Sequence, residues 1–335
     1  MTQGLNPSMP APLTILIITT GVSPIVQPLL DARHTLTGIV DCSGQETERP
    51  ASPSTLYRLL RAGYQLFNND PPSLAALAAQ RGIPYYCADR AARDPQLAPW
   101  IRARQPDVIM VYYAPILDRR VFTIPPLGTI NLHPSLLPAY RGGHPLFWMV
   151  YNGDTQAGVS LHFVDARTDT GDILSQHAFP IEPGMSESAL EHRAIAHHGV
   201  RLMLNALDAL AAGTCPRHPQ PEHSPTPLAT RVNAERLRRL LDWNQPIQRI
   251  WSILRFAQDW PNVLPSPPGW KSPFRWILGP YTQEPVTGLP GSIAQDRHGY
   301  YLVHPAGKIR LYVDYDFRRW VKSVVLRLRG GVATC

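Results

Sequence analysis

The sequence predicts an α/β protein, with a doubly wound parallel sheet in its first two thirds and a smaller β-rich, barrel-like domain at its C-terminus. Three observations lead to this fold class. Apolar runs of strand length alternate with helical segments up to residue 211, a proline-rich stretch follows, and short strand-and-turn units fill the last third. Alternating strands and helices are typical of parallel sheets covered on both faces.

The elements of the first part follow from hydrophobic periodicity. Strands are predicted at Leu13–Thr20, Leu36–Asp41, Pro84–Cys87 and Asp107–Tyr113, and helices at Ile25–Arg33, Leu74–Arg81, Leu97–Arg104 and Glu187–Ala211. In a sheet of this class, ligands bind beyond the carboxyl ends of the strands. We therefore expect the functional loops to follow Tyr113 and the next strand along the chain. The sequence has no GxGxxG or Walker motif, so nucleotide cofactors of those classes are not indicated.

Prolines mark the boundary between the two parts. Five of them fall within Thr214–Pro227, and such a stretch has little freedom to form a helix. We predict a catalytic domain at 1–213, a linker at 214–230 and a C-terminal domain at 231–335. The last domain begins with helical sequence over Ala234–Phe256, broken at 242–246. It continues with strands near 291–294, 299–303 and 308–313.

Composition excludes several classes of protein. The chain has 335 residues, of which 44% are hydrophobic, enough for a sizeable core. Its 4 cysteines show no CxxC spacing, which argues against a disulfide scaffold or a zinc site. The histidines 192, 197 and 198 lack metal-ligand spacing and are expected on a helix surface. The apolar run Leu13–Ile18 is too short to span a bilayer, so a cytoplasmic protein without a membrane partner is expected.

The charge is unevenly distributed. From Arg231 onward the sequence has 16 Lys and Arg against 7 Asp and Glu, a balance of +9, whereas the whole chain carries only +7. A positive surface favours an anionic partner, either nucleic acid or a phosphate-bearing small substrate.

The most informative motif is Asn131-Leu-His-Pro-Ser-Leu-Leu-Pro-Ala-Tyr-Arg-Gly142, followed by Asp169-Thr-Gly. Side chains alternate along a strand, so Asn131 and His133 point to the same face. An amide can stabilise a developing oxyanion, and an imidazole can take a proton near neutral pH. Asp169 can orient that imidazole and stabilise its cation. These are the groups needed to transfer an acyl group to an amine.

This motif, together with Phe163-Val-Asp-Ala-Arg-Thr-Asp-Thr-Gly-Asp-Ile-Leu174, resembles the signature of the folate-dependent formyltransferases. The resemblance covers nearly the whole chain. It implies a Rossmann-like catalytic domain over 13–210 and a barrel-like domain that starts near Arg231. It also implies 10-formyltetrahydrofolate as formyl donor, no metal, and direct attack of a neutral amine on the formyl carbon.

The resemblance also implies roles for individual residues. Asn131, His133 and Asp169 would be catalytic, and an apolar cleft between Ala114–Leu117 and Asp165–Asp169 would hold the pteridine. Pro115 lacks the N–H that a family contact at that position would use. The residues implied in donor binding are Ile116, Leu117, Ser135, Leu136, Ala166 and Thr168, and those implied in acceptor binding are Arg141, Gly142 and Trp148.

The acceptor amine is the open question. Family members that act on tRNA carry a basic insert after the second strand, but Asp41–Pro71 has only three arginines against four acidic residues. Gly142-Gly-His-Pro-Leu-Phe-Trp148 also looks more like the sugar and natural-product members. We therefore expect a small amine, for which a nucleotide-linked or natural-product substrate is a candidate. The basic C-terminal third would instead suit tRNA, which stays the alternative.

Two further hypotheses are weaker. One is a formyltetrahydrofolate hydrolase, whose N-terminal regulatory domain is not expected here because the first strand begins near Leu13. The other is a non-catalytic RNA-binding module on the same fold, against which the complete set of Asn131, His133 and Asp169 argues. A homodimer is possible. Because every proposed chemical residue precedes Thr214, we also expect the donor site to be independent of the chain beyond it.

Overall fold

The computed structural model describes residues 10–43, 72–88, 94–260, 263–265 and 274–315. The described residues contain a seven-stranded sheet in the order β3-β2-β1-β4-β5-β6-β7 and a separate four-stranded sheet. The strands of the larger sheet are β1 Thr14–Thr19, β2 Thr35–Asp41, β3 Tyr85–Cys87, β4 Val108–Tyr112, β5 Thr129–His133, β6 Gln156–Phe163 and β7 Ile173–Pro180. The predicted fold class is confirmed.

The strands β3, β2, β1, β4 and β5 run parallel, whereas β6 and β7 are antiparallel to their neighbours. The chain leaves β1 toward β2 on one side and returns to β4 on the other. Ligands of such sheets bind where the strand order reverses, which here is beyond the carboxyl ends of β1 and β4.

Helices cover both faces of the larger sheet. They are α1 Val26–Leu30, α2 Leu74–Arg81, α3 Leu97–Arg102, α4 Arg119–Phe122, α5 Pro145–Asn152, α6 Glu187–His192 and α7 Val200–Ala211, with a π-helical segment Arg193–Gly199 between the last two. In β1, Ile15 and Ile17 belong to one apolar cluster, and Leu16 and Ile18 belong to another on the opposite face. Alternation along a strand buried on both faces accounts for this division.

The predicted long helix Glu187–Ala211 is present as the run from α6 to α7. It packs closely on the sheet, since a Cβ at Gly199 would lie 2.7 Å from a methyl group of Leu132. His192 and His197 are exposed as expected. His198 is a correction, because its ring stacks on His177 with centroids 4.2 Å apart and is partly buried against β7.

The C-terminal part contains two helices and the smaller sheet. The helices are α8 Ala234–Leu240 and α9 Ile247–Phe256, and the strands are β8 Phe274–Thr282, β9 Ile293–Asp296, β10 Gly299–His304 and β11 Gly307–Tyr315. The strands are antiparallel, in the order β8-β11-β10-β9. The sequence did not predict β8, because Gly279 and Pro280 interrupt its pattern; as an edge strand it tolerates the proline.

One apolar cluster joins the two parts. It contains Phe147 of α5, Phe256 of α9 and Trp276 of β8, all buried. The rings of Phe147 and Phe256 meet edge to face with centroids 6.2 Å apart. None of the helices in the described residues combines the length and the apolar character that crossing a bilayer requires.

Candidate active site

A cavity of about 870 Å³ opens at the carboxyl ends of β4 and β5. Its walls come from five places in the chain: the end of β4 and the loop after it (111–117), the end of β5 with Pro134, residues 142–146 at the start of α5, His162 with the loop after β6 (164–169), and Glu187, Ser188 and Glu191 of α6. Arg231 and Asp259 complete the lining. The reversal of the strand order next to β1 thus brings together loops that are distant in sequence.

Asn131 and His133 both line this cavity, as the alternation along β5 predicts. β5 is hydrogen-bonded to β4 on one side and to β6 on the other, so its position is fixed from both sides. The His133 side chain is buried, with 5% of the residue exposed. An amide and an imidazole are therefore presented on a rigid strand at the floor of the cavity.

Asp169 reaches the same point from the loop between β6 and β7. Its Oδ2 accepts the backbone N–H of Gly142 at 2.9 Å and lies 3.7 Å from Nδ1 of His133. Its backbone has a φ of +52°, a conformation that aspartate tolerates better than most side chains. The structure therefore brings together all three residues that the sequence predicts as catalytic.

His162 is a fourth member of this cluster, and the sequence analysis missed it. It pairs with Asn131 across β5 and β6, so the two side chains lie on the same face. Its Nε2 lies 3.1 Å from Nδ2 of Asn131 and 3.5 Å from Oδ1 of Asp169. The alternating polar and apolar residues of Gln156–Phe163 could have indicated His162, but only if the antiparallel register of this strand with β5 had been predicted.

The hydrogen bonds assign the ring protons of both histidines. Nε2 of His133 donates to the carbonyl of Tyr140 at 3.0 Å, and Nδ1 of His162 donates to the carbonyl of Phe163 at 2.8 Å. A carbonyl oxygen only accepts, so in the neutral rings Nδ1 of His133 and Nε2 of His162 carry the lone pairs. The Asn131 amide then donates to His162, and Nδ1 of His133 is the nitrogen that can receive a proton.

Burial and nearby charges set the protonation of His133 and Asp169. Burial lowers the pKa of His133 below its ordinary value of 6.5, so the ring is neutral at pH 7. Burial alone would raise the pKa of Asp169, but the positive charge that His133 and His162 carry when protonated, together with the N–H of Gly142, holds it well below its usual range. At neutral pH the cluster therefore contains a neutral base beside an anionic carboxylate.

Five other predicted site residues also line the cavity: Ile116, Leu117, Gly142, Ala166 and Thr168. They come from the two segments that the resemblance assigns to donor binding and from the start of the α5 loop. Ile116 is strongly exposed, at 77%, whereas Leu117 is buried. Ile116 and Leu117 after β4 and Ala166 after β6 give the cavity an apolar wall, beside which Asp165 and Arg167 also enter the lining.

Four predicted residues lie outside the cavity lining and are corrections. Ser135 is fully buried and donates to the carbonyl of Ala139, and Leu136 packs so closely on β6 that a Cβ at Gly158 would lie 2.4 Å from it. Both lie in the turn after β5, outside the cavity lining. Arg141 points away, into residues 220–222 of the linker.

Trp148, the fourth correction, is on α5 and donates from Nε1 to the carbonyl of Thr230 at 2.8 Å. Its ring meets Phe147 edge to face and lies beneath the guanidinium of Arg236. The helix turns this side chain toward the linker and α8. The tryptophan therefore stabilises the junction of the two parts and does not reach the cavity.

Carboxylates form another part of the lining. Glu187 and Glu191 of α6 and Asp259 all border the cavity. Tyr112 donates to Glu191, while Nε2 of His144 donates to Glu187 at 2.7 Å and Trp260 donates to its other oxygen. Glu187 and Glu191 are held in place by these partners and give this wall an acidic character, while Asp259 is paired with Nη1 of Arg275 at 3.4 Å. Among the described residues, no group of three or more His, Cys, Asp or Glu side chains is arranged to hold a metal ion.

Known proteins resemble the chain over nearly its whole length. Residues 61–207 match the formyl transferase family model. Methionyl-tRNA formyltransferase of Roseiflexus castenholzii is 30% identical over 327 residues, which cover 93% of this chain and 95% of that protein. Its counterpart in a second Roseiflexus is 32% identical, with 92% and 90% covered. The chain belongs to the folate-dependent formyltransferase family.

Solved structures show the same fold for this formyltransferase. A sugar 3N-formyltransferase, WlaRD, crystallised in the presence of dTDP and 5-N-formyl-THF, aligns with a TM-score of 0.58 and 16% identity over 90% of this chain and 97% of its own. The N-formyltransferase from Helicobacter canadensis, in complex with folinic acid and dTDP-3-aminofucose, aligns with a TM-score of 0.56 and 15% identity over 90% and 100%. At these identities the likeness establishes the architecture alone.

Proposed function

We propose that this formyltransferase moves the formyl group of 10-formyltetrahydrofolate onto a primary amine of a small acceptor. The observation that carries the proposal is the meeting of Asn131, His133, His162 and Asp169 at the floor of one cavity. An oxyanion donor, a neutral base and an anion that stabilises the protonated base are all present there. Bound folate would supply the carbon that is transferred.

The residues divide the chemistry between them. The Asn131 amide, oriented by His162, would donate to the formyl oxygen as negative charge develops on it. Nδ1 of His133 would take the proton that the attacking amine loses, and Asp169 would stabilise the imidazolium at 3.7 Å. The new C–N bond replaces the bond between the formyl carbon and N10 of the folate, and the proton is returned to that nitrogen. Water has to be excluded from the reacting carbon, because it would hydrolyse the donor.

The apolar wall suits the folate. Ile116, Leu117 and Ala166 supply apolar surface beside the catalytic cluster, and pockets of this size and character bind flat heteroaromatic ligands. The folates bound to the solved enzymes of the same fold support this choice of donor. Pro115 can contribute only its ring and its carbonyl, so the donor must be held without an N–H at that position.

The acidic wall favours a small amine as acceptor. Glu187 and Glu191 would repel a phosphate placed beside them, whereas they can accept hydrogen bonds from hydroxyl or ammonium groups. Arg167 and Arg231 are cations in the same lining, and they could contact an anionic group of the acceptor. A nucleotide-linked amino sugar has both kinds of group in this arrangement.

A second candidate is transfer to methionyl-tRNA. Two relatives similar over nearly the whole chain are methionyl-tRNA formyltransferases, and the chain beyond Arg231 has a balance of +9. The 41–71 segment, whose composition argues against a tRNA-binding insert, lies largely outside the described residues. The two candidates share the same formyl transfer and differ only in the amine that accepts the formyl group.

The decisive experiment measures consumption of 10-formyltetrahydrofolate with a panel of amines, including nucleotide-linked amino sugars, and in parallel with methionine-charged tRNA at two salt concentrations. We expect amine-dependent consumption with a small acceptor. Efficient, salt-sensitive formylation of the charged tRNA would favour the second candidate, because each neutralised phosphate releases counterions. Consumption that is independent of any amine would indicate a hydrolase.

A further inference from the structure

The proline-rich linker lies directly against the loops that carry the catalytic residues. The backbone N–H of Ala229 donates to the carbonyl of Arg141 at 2.7 Å, and the backbone N–H of His144 donates to the carbonyl of Ala229 at 3.0 Å. Residue 142 has to be glycine here, because a Cβ would lie 2.8 Å from the carbonyl oxygen of Ala229 and its φ is +123°. The expected independence of the site from the chain beyond Thr214 is therefore not what the structure shows.

Gln220 makes the most specific of these contacts. Its Nε2 donates to the carbonyl of Asp169 at 3.1 Å and to the carbonyl of Gly171 at 2.7 Å. Its Oε1 accepts from Nε of Arg141 at 3.2 Å and from Nη2 at 2.9 Å. One side-chain amide thus joins the β6–β7 loop to the loop after β5.

Arg141 anchors the other end of this contact. Only 6% of the residue is exposed, and its guanidinium donates to the carbonyls of Pro221 at 2.8 Å and Glu222 at 3.0 Å. Its neighbour Gly142 donates to the Asp169 carboxylate. The contacts therefore close a ring from Asp169 through Gln220 and Arg141 to Gly142 and back to Asp169.

We infer that Gln220 is a positioning residue, which holds the backbone of Asp169 so that its carboxylate faces Nδ1 of His133. The geometry requires such support, because Asp169 has a left-handed backbone and is in a loop between two antiparallel strands. Gln220 does not line the cavity. Its effect on the reaction would come through Asp169, and this inference rests on the proposed formyl transfer.

The test compares Gln220→Met, which keeps the length of the side chain and removes all four hydrogen bonds, with His223→Ala, an exposed change in the same segment. We expect Gln220→Met to lower kcat by about tenfold to a hundredfold, as misplacement of a catalytic group does, with little change in the KM of the acceptor. His223→Ala should leave both constants unchanged. Unchanged kcat in a folded Gln220→Met variant would overturn the inference.

A double-mutant cycle separates positioning from general destabilisation. If Gln220 acts through Asp169, Gln220→Met should have almost no further effect on kcat in an Asp169→Ala background. The same fold loss in both backgrounds would mean that Gln220 acts elsewhere, and the inference would be wrong. Should Gln220→Met fold poorly, Gln220→Asn, which withdraws the same amide by one methylene, takes its place in the cycle.

A readout without turnover separates this inference from the proposed function. The pKa of the His133 imidazole can be followed by NMR in the wild type and in Gln220→Met. Because the nearby carboxylate raises that pKa, its displacement should move the His133 titration to lower pH. An unchanged titration would contradict the positioning role, whereas absence of formyl transfer in the wild type with every amine would contradict only the proposed function.

Discussion

Two walls of the cavity are built in opposite ways: the catalytic wall, formed by Asn131, His133, His162 and Asp169, and the wall after β4, formed by residues 113–117. The catalytic wall is buried and tied by hydrogen bonds from several elements: β5, the β6–β7 loop and the linker all meet at His133 and Asp169. The wall after β4 is exposed, with Tyr113 at 57% and Ile116 at 77%. Tyr113 also has a positive φ of 50°, which is uncommon for a residue with a bulky side chain.

This difference separates two tasks. Groups that act on a developing charge must be in place before the reaction begins, because reorganisation during the step would raise the barrier. A wall that binds a flat ligand gains free energy by covering apolar surface, and it can do so without such exact placement. We therefore expect changes in the catalytic wall to lower kcat and changes in the wall after β4 to alter KM.

The largest effect should come from His133→Ala and from Asp169→Ala. Each removes one member of the base and carboxylate pair, and we expect turnover to fall by about two orders of magnitude or more. Steady-state formyl transfer measures this, with the thermal midpoint as a check on folding. His192→Ala, an exposed histidine on α6, is the matched control. Near-normal turnover in either folded variant would remove the catalytic assignment.

His162→Gln should have a smaller effect on the same wall. The lone pair on Nε2 orients the Asn131 amide at 3.1 Å, and without it the amide can rotate away from the formyl oxygen. We expect kcat to fall by about tenfold, near the value of one hydrogen bond to a partly charged group. A loss as large as that of His133→Ala would mean that His162 itself transfers the proton.

The acid side of the pH profile tests the protonation states. Burial lowers the pKa of His133, so the neutral base should persist below pH 6.5, where half of an ordinary histidine is already protonated. We expect kcat to keep its plateau at pH 6.5 and to fall only at lower pH. Asp169→Asn should move that fall further toward acid, because the anion that stabilises the imidazolium is gone. A midpoint at or above 6.5 in the wild type would contradict this assignment.

Some parts of this molecule could be predicted from sequence because their signals are local. The alternation in β5 was enough to place Asn131 and His133 on one face, and the apolar runs were enough to place β1, β2 and β4. Helices α8 and α9 with the break between them also followed from local pattern and from Pro246. In each of these cases the spacing of the apolar residues in the sequence matches the repeat of the strand or helix that they form.

Other parts depended on contacts between distant residues. His162 joins Asn131 only through the antiparallel register of β6, and Gln220 meets Asp169 only because the linker folds back. Ser135, Leu136, Arg141 and Trp148 lie close in sequence to His133, yet they support the strand and the linker from outside the cavity. Asn131, His133 and Asp169 meet as predicted, whereas closeness to His133 in sequence did not show which neighbouring residues lie outside the cavity.

The smallest effect should come from the exposed wall. Ile116→Ser replaces apolar surface that the donor would cover, and fully burying an isoleucine side chain is worth about 1.5–3 kcal/mol. Because Ile116 would be covered only in part, we expect the KM of the donor to rise by a few-fold while kcat stays the same. Measurement of both constants against 10-formyltetrahydrofolate decides the outcome, with Ile124→Ser, on a partly buried side chain outside the cavity lining, as control. A fall in kcat comparable to that of His162→Gln would show that this wall also positions the reacting groups, and the division between the two walls would not hold.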